Sequence, residues 1–136
     1  MFKLYVEETD SSAVKATVQA HDEIASSAIS YVEMRAALAT AERANRISRG
    51  DHHGLLAAFE SDWNGVIQVT PSPELIRWAG ALAEQHALRG YDAVHLASVL
   101  YLRDETGASV LCCTHDQPLI DAAAREDLAT TGPSQQ

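Results

Sequence analysis

Along this chain, short apolar stretches alternate with longer segments whose apolar residues return every three to four positions. Three of the short stretches read as strands: residues 24–28 (Ile-Ala-Ser-Ser-Ala), residues 66–69 (Val-Ile-Gln-Val, closed by Thr70-Pro71), and residues 110–113 (Val-Leu-Cys-Cys). The third is continuously apolar, as a strand buried on both faces should be. The longer segments predict helices. Ser30, with Glu33 three residues on as in a capping box, opens a helix to about Asn45. Asp51 caps a second through Trp63. Ser72, Pro73 and Glu74 supply an N-cap, a first-turn proline and a first-turn acid for a third, reaching about Leu88. Its inner stripe is Leu75, Trp78, Ala79, Leu82, Ala83 and His86. A fourth runs from after Gly90 to Thr106 and stops at Gly107, and a fifth runs from Pro118 to about Asp127. Phe2 to Val6 also reads as helix.

Strands that alternate with helices imply a parallel sheet covered on both faces. The expected class is therefore α/β, a three-layer α/β/α sandwich with a short parallel sheet. A single domain over residues 1–130 is expected, with a disordered tail at 131–136. Three strands are few for six helices, and such a domain usually opens on a strand. The pattern reads as lacking a strand ahead of Met1.

Composition changes this picture little. Hydrophobic residues make up 46% of the 136, enough for a layered core. No apolar run reaches the roughly 18–20 residues of a membrane span, and acids at Glu7 and Glu8 interrupt any leader pattern, so a cytoplasmic protein without a membrane partner is expected. Cys112 and Cys113 are neighbours on a strand and point to opposite faces, which makes them small buried hydrophobes rather than a disulfide or a zinc site. The net charge of −9 argues against a broad electrostatic grip on nucleic acid, which needs clustered Lys and Arg. It leaves room for an enzyme whose bound cations neutralise carboxylates where a phosphate arrives.

In open parallel sheets, ligands bind beyond the carboxyl ends of strands, at the starts of the following helices. Glu33, Asp92 and Asp116 all fall at such positions. Each also has a structural reading. Asp92 could be an N-cap, Glu33 the partner in a capping box, and Asp116 the cap of the last helix. Two features weigh on the other side. Asp92 and His95 are the only acidic or basic residues before Arg103 in an otherwise largely apolar helix, and Glu33 heads a face of small residues at Ala36, Ala37, Thr40, Ala41 and Ala44. Carboxylates within about 6 Å of one another repel by about 3 kcal/mol per pair at an effective dielectric near 20. Such a cluster persists with a bound cation or with raised pKa values. All-oxygen ligands suit Mg²⁺ or Mn²⁺, which orient water and neutralise phosphate during phosphodiester hydrolysis. Asp51-His52-His53-Gly54 spells a phosphoesterase string, but it starts a helix here instead of following a strand. His95 reads as a local hydrogen-bonding residue more readily than as a ligand.

These residues together resemble the PIN-domain family, and within it the VapC-type toxin ribonucleases. Ser30-Tyr31-Val32-Glu33-Met34-Arg35-Ala36-Ala37-Leu38 is similar to the family's second acidic motif. Leu88-Arg89-Gly90-Tyr91-Asp92-Ala93-Val94-His95-Leu96-Ala97 is very similar to the third, and Thr114-His115-Asp116 resembles the threonine-x-aspartate fourth. The likeness covers nearly the whole chain in the family's order. It implies Glu33, Asp92 and Asp116 as catalytic, metal-binding acids, Thr114 as a supporting polar group, and Mg²⁺ or Mn²⁺ as cofactor. It further implies an RNA substrate, a VapB-like antitoxin whose C-terminal segment covers the acids, and a homodimer, for which Trp63 is the candidate interface anchor. The family opens on a central strand that ends in the first catalytic aspartate. By this resemblance the chain is expected to start within the helix that follows, without that strand or its aspartate. The other functional class consistent with the residues is a catalytically inactive PIN-fold module that binds an antitoxin or RNA.

Overall fold

The computed structural model of the chain describes residues 24–107, 110–112, 114 and 116–130. The helix expected at residues 2–6, the tail at 131–136, Cys113 and His115 lie outside the described residues. The chain divides into two compact units at the junction of Gln68 and Val69.

The first unit contains β1 (Ala25–Ser27), α1 (Ile29–Arg43) and α2 (Arg49–Trp63), and leads into β2 (Ile67–Val69). β1 and β2 form a two-stranded sheet, with the Ile67 amide donating to the Ile24 carbonyl at 2.9 Å just beyond β1. The start of α1 departs from expectation. The helix begins at Ile29 with Ala28 at the cap and no side-chain cap bond, so the Ser30–Glu33 capping box does not form. The Ser30 hydroxyl pairs instead with that of Ser26, 2.6 Å away, which draws it back toward the strand. At α2 the cap is Ser48 rather than Asp51. Ser48 is extended and accepts from the Asp51 amide at 2.9 Å, while the Asp51 carboxylate accepts from the Ser48 amide at 3.3 Å. Asp51 is thus the acid of a capping box three residues into the helix.

Between these helices the chain turns at Asn45, whose φ is 60°. Arg46 donates back to the Ala41 carbonyl and Asn45 to that of Glu42, each at 2.9 Å. This is a Schellman closure with asparagine where glycine is commoner. The turn returns α2 against α1 around buried Met34, Leu38, Phe59 and Trp63. Tyr31, Phe59 and Trp63 stack at tilted angles with ring centroids 5.6–5.9 Å apart, pairs worth about 0.5–1.5 kcal/mol beyond their buried area. Trp63, expected to anchor an interface, is 7% exposed and is consumed by this cluster.

The second unit contains α3 (Pro73–His86), α4 (Gly90–Thr106), β3 (Leu111–Cys112), α5 (Gln117–Arg125) and β4 (Ala129–Thr130). β3 and β4 run parallel, with Leu111 opposite Ala129 and Cys112 opposite Thr130. The fold is therefore helix-rich α/β with a short parallel sheet. β4 was not expected from the sequence, because two small or polar residues carry no hydrophobic rhythm. It is reached by another Schellman closure: Asp127 adopts φ 65° and Leu128 donates to the Ala123 carbonyl at 2.9 Å.

α3 starts as predicted, with Ser72 accepting from the Leu75 amide at 3.1 Å and Pro73 at its first position. It buries Leu75, Ala79, Leu82 and His86, with Trp78 and Ala83 half-covered beside them. α4 buries Ala93, Leu96, Ala97, Ser98 and Leu100, whereas Tyr101 is exposed, so the helix is covered over a broad face and not all round. Alanines at 79, 93, 97, 122 and 123 within this core let the helix backbones approach closely. The ends of three helices are fastened together at Glu126. Its carboxylate meets buried His86 at 2.8 Å, and its carbonyl accepts from Arg103 at 2.7 Å. Cys112 is buried, as expected of a small hydrophobe.

Candidate acidic site

The acids of the second unit are set by two helix starts. Asp92 lies in the first turn of α4, three residues after the cap. The cap itself is Arg89, extended and without a side-chain cap bond, so Asp92 is not the N-cap. A carboxylate there is favoured by the positive end of the helix dipole. Asp116 is the N-cap of α5, its Oδ2 accepting from the Leu119 amide at 3.3 Å. The structural role weighed for Asp116 is therefore present. Thr114 shapes the approach to it, with its hydroxyl accepting from the Asp116 amide at 3.1 Å. That turn fixes the backbone as it leaves β3 and enters the helix.

One side chain joins the two acids. Arg89 brings Nε to 3.6 Å from Asp92 Oδ2 and Nη2 to 3.9 Å from Asp116 Oδ1. The Arg89 side chain is 86% exposed, while those of Asp92 and Asp116 are 24% and 36% exposed. A cation reaching from solvent thus touches two carboxylates that are partly withdrawn from it. Sequence reasoning missed Arg89, although its i, i+3 spacing from Asp92 puts the two on one helical face.

Glu33 belongs to the first unit, half-buried in the second turn of α1. The inward face of α1 is Met34, Leu38 and Ala41. Of the small residues expected to share Glu33's inward face, Ala36, Thr40 and Ala44 are exposed, and Ala41 alone is buried. One turn away, Arg35 donates to the Tyr31 hydroxyl at 2.8 Å and to Glu60 at 3.3 Å. The hydrogen bond to Tyr31, with the nearby charges of Tyr31 and Glu60, holds the Arg35 guanidinium above its usual pKa despite some desolvation. In neither unit, among the described residues, do three His, Cys, Asp or Glu side chains gather as a ready metal cluster.

The Asp51-His52-His53 reading resolves locally. His52 Nδ1 lies 2.6 Å from Glu42 Oε1, tying α2 to α1, and the His53 ring meets that of His52 edge-on. With Asp51 in the capping box, the Asp51-His52-His53 string is accounted for by structure. His95 is half-buried on α4 one turn beyond Asp92.

The pair of Asp92 and Asp116 offers only oxygen donors, and it already accommodates one cation from the chain's own Arg89. That donor chemistry fits a hard divalent ion such as Mg²⁺ or Mn²⁺. Among the described residues, no helix is long and apolar enough to cross a membrane.

No protein-family model matches the chain. Two curated Mycobacterium tuberculosis proteins are similar to it over 106 residues at 42% identity: Ribonuclease VapC45 of strain CDC 1551 / Oshkosh and Ribonuclease VapC49 of strain ATCC 25618 / H37Rv. Each alignment covers 75% of this chain and 71% of the relative.

Proposed function

The chain belongs to the VapC-type family of PIN-domain toxin ribonucleases, and from that membership we propose that it is an Mg²⁺- or Mn²⁺-dependent endoribonuclease, the toxin of a toxin–antitoxin pair. Asp92 and Asp116 would hold the metal, with Thr114 setting the backbone of Asp116, and Glu33 is proposed as a catalytic acid on the family resemblance alone. The observation that carries this reading is the shared Arg89 guanidinium, which marks the two carboxylates as a place where positive charge is stabilised. When bound there, the divalent ion would supply an activated water and charge neutralisation at the phosphate. The residues do the rest. Asp92 keeps its carboxylate at the α4 N-terminus, Asp116 divides its two oxygens between the α5 cap and the site, and Thr114 holds the connecting turn.

A VapB-like antitoxin would silence the site most directly by offering Arg or Lys to the same acids. Arg89 already makes that type of contact, which supports the idea. A homodimer is proposed from the family resemblance. The test of the catalytic assignment is Asp92→Asn. Cleavage of a labelled RNA in Mg²⁺ should fall at least about a hundredfold, since a metal's charge stabilisation is worth several kcal/mol. The melting temperature should stay within a few degrees. Undiminished cleavage by this variant would remove Asp92 from the site. A wild-type protein that binds antitoxin or RNA, yet takes up no Mn²⁺ by calorimetry and cuts nothing, would instead be a binding module of the same fold.

A further inference from the structure

We propose that Arg89 is the phosphate-binding residue of this site, parked on the two carboxylates while they lack a metal and released to grip the RNA backbone once they have one. The inference rests on the metal-site reading above. Its starting point is an oddity of placement. Arg89 is the N-cap residue of α4 but gives the helix no side-chain cap, and its side chain, 86% exposed, reaches Asp92 at 3.6 Å and Asp116 at 3.9 Å. Both distances are long for a charge-assisted hydrogen bond. A guanidinium so exposed and so loosely held contributes little to stability. Structure therefore does not explain it.

Charge does. A divalent ion on the same carboxylates would repel the guanidinium and outbid it for their oxygens, so Arg89 must swing outward. Its backbone is anchored at the helix start, which keeps the freed side chain within one arginine length of the acids. A phosphate drawn to that centre would then meet a planar five-donor fork suited to two nonbridging oxygens at once. The need for such a cation is acute here. The chain carries 19 acidic and 10 basic residues, and Arg103, also in this unit, is committed to Asp104 and the Glu126 carbonyl. The same side chain thus stands in for the metal on these carboxylates and, with the metal bound, offers the phosphate a cation in a chain whose acids outnumber its bases.

The experiment pairs two titrations on wild type, Arg89→Gln and Arg89→Lys. Calorimetry with MnCl₂ reads competition for the carboxylates, and fluorescence anisotropy of a cleavage-resistant 2′-O-methyl RNA pool in saturating Mn²⁺ reads the phosphate contact. Arg89→Gln should bind Mn²⁺ roughly two- to fivefold more tightly, the scale of an exposed ion pair removed. It should bind the RNA about tenfold more weakly, the scale of one hydrogen bond to a charged group. Arg89→Lys should recover only part of the RNA affinity, because the charge remains and the fork does not. The opposite signs are the signature, since a merely structural role would weaken both. Unchanged or weaker Mn²⁺ binding by Arg89→Gln, or undiminished RNA binding, overturns the proposal while the metal site stands. Failure of wild type to bind Mn²⁺ overturns the underlying site, and this inference with it.

Discussion

Asp116 has two roles in the described geometry, and a pair of substitutions can separate them. Its Oδ2 caps α5 through the Leu119 amide at 3.3 Å, and its Oδ1 faces Arg89 at 3.9 Å. Losing an N-cap costs about 0.5–2 kcal/mol, and a bond as long as this one belongs in the lower half of that range. The contact with exposed Arg89 adds at most about 0.5 kcal/mol. Asp116→Ala should therefore destabilise the protein by about 1–1.5 kcal/mol. Asparagine caps a helix about as well as aspartate, so Asp116→Asn should lose only the charge terms, about 0.5 kcal/mol. For a chain of 136 residues these figures correspond to roughly 3–6 °C and at most about 2 °C in melting temperature. Metal affinity should rank differently. Both variants remove the carboxylate, so both should lose at least about tenfold in Mn²⁺ binding, the loss of one charged ligand being worth more than 1.4 kcal/mol. Differential scanning fluorimetry and calorimetry on the same preparations read the two effects. If Asp116→Asn melts with Asp116→Ala, the capping argument fails. If Asp116→Asn binds Mn²⁺ like wild type, the assignment of this carboxylate to the site fails.

Two further predictions concern the core of the second unit. Leu96→Ala, at a position fully buried on α4, should cost about 2–5 kcal/mol in urea unfolding, and a loss below 1 kcal/mol would show that the helices close over the cavity. His86→Ala should cost about 2–3 kcal/mol by leaving a cavity and stripping Glu126 of its partner, whereas Glu126→Gln, which can still hydrogen-bond the ring at 2.8 Å, should cost under about 1 kcal/mol; equal losses would show that the contact is ionic rather than packed and hydrogen-bonded.

Much of this protein is written locally in its sequence. The start of α3 at Ser72-Pro73 and the stop of α4 at Gly107 were legible because each depends on residues within one turn of it. Asp92 and Asp116 stood out for a related reason: charged side chains at the mouths of apolar helices need a local justification. Where prediction failed, two local options were close in energy and a distant or neighbouring partner chose between them. Ser30 and Ser48 are both good caps, yet Ser26 claims one hydroxyl and leaves the other to cap. Trp63 sits at a helix end, and only the packing of Tyr31 and Phe59 around it decided that it would be buried. β4 exists because Cys112 and Leu111 offer a ladder to two residues that have no strand signal of their own. The Arg89 bridge combines both cases. Its spacing to Asp92 is a property of the helix and readable in advance, while its reach to Asp116, 27 residues further along the chain, depends on α4 and α5 being brought start to start by the core beneath them. Sequence periodicity specifies which residues share a face; which faces meet is settled by packing, because the burial that rewards it is summed over the whole unit.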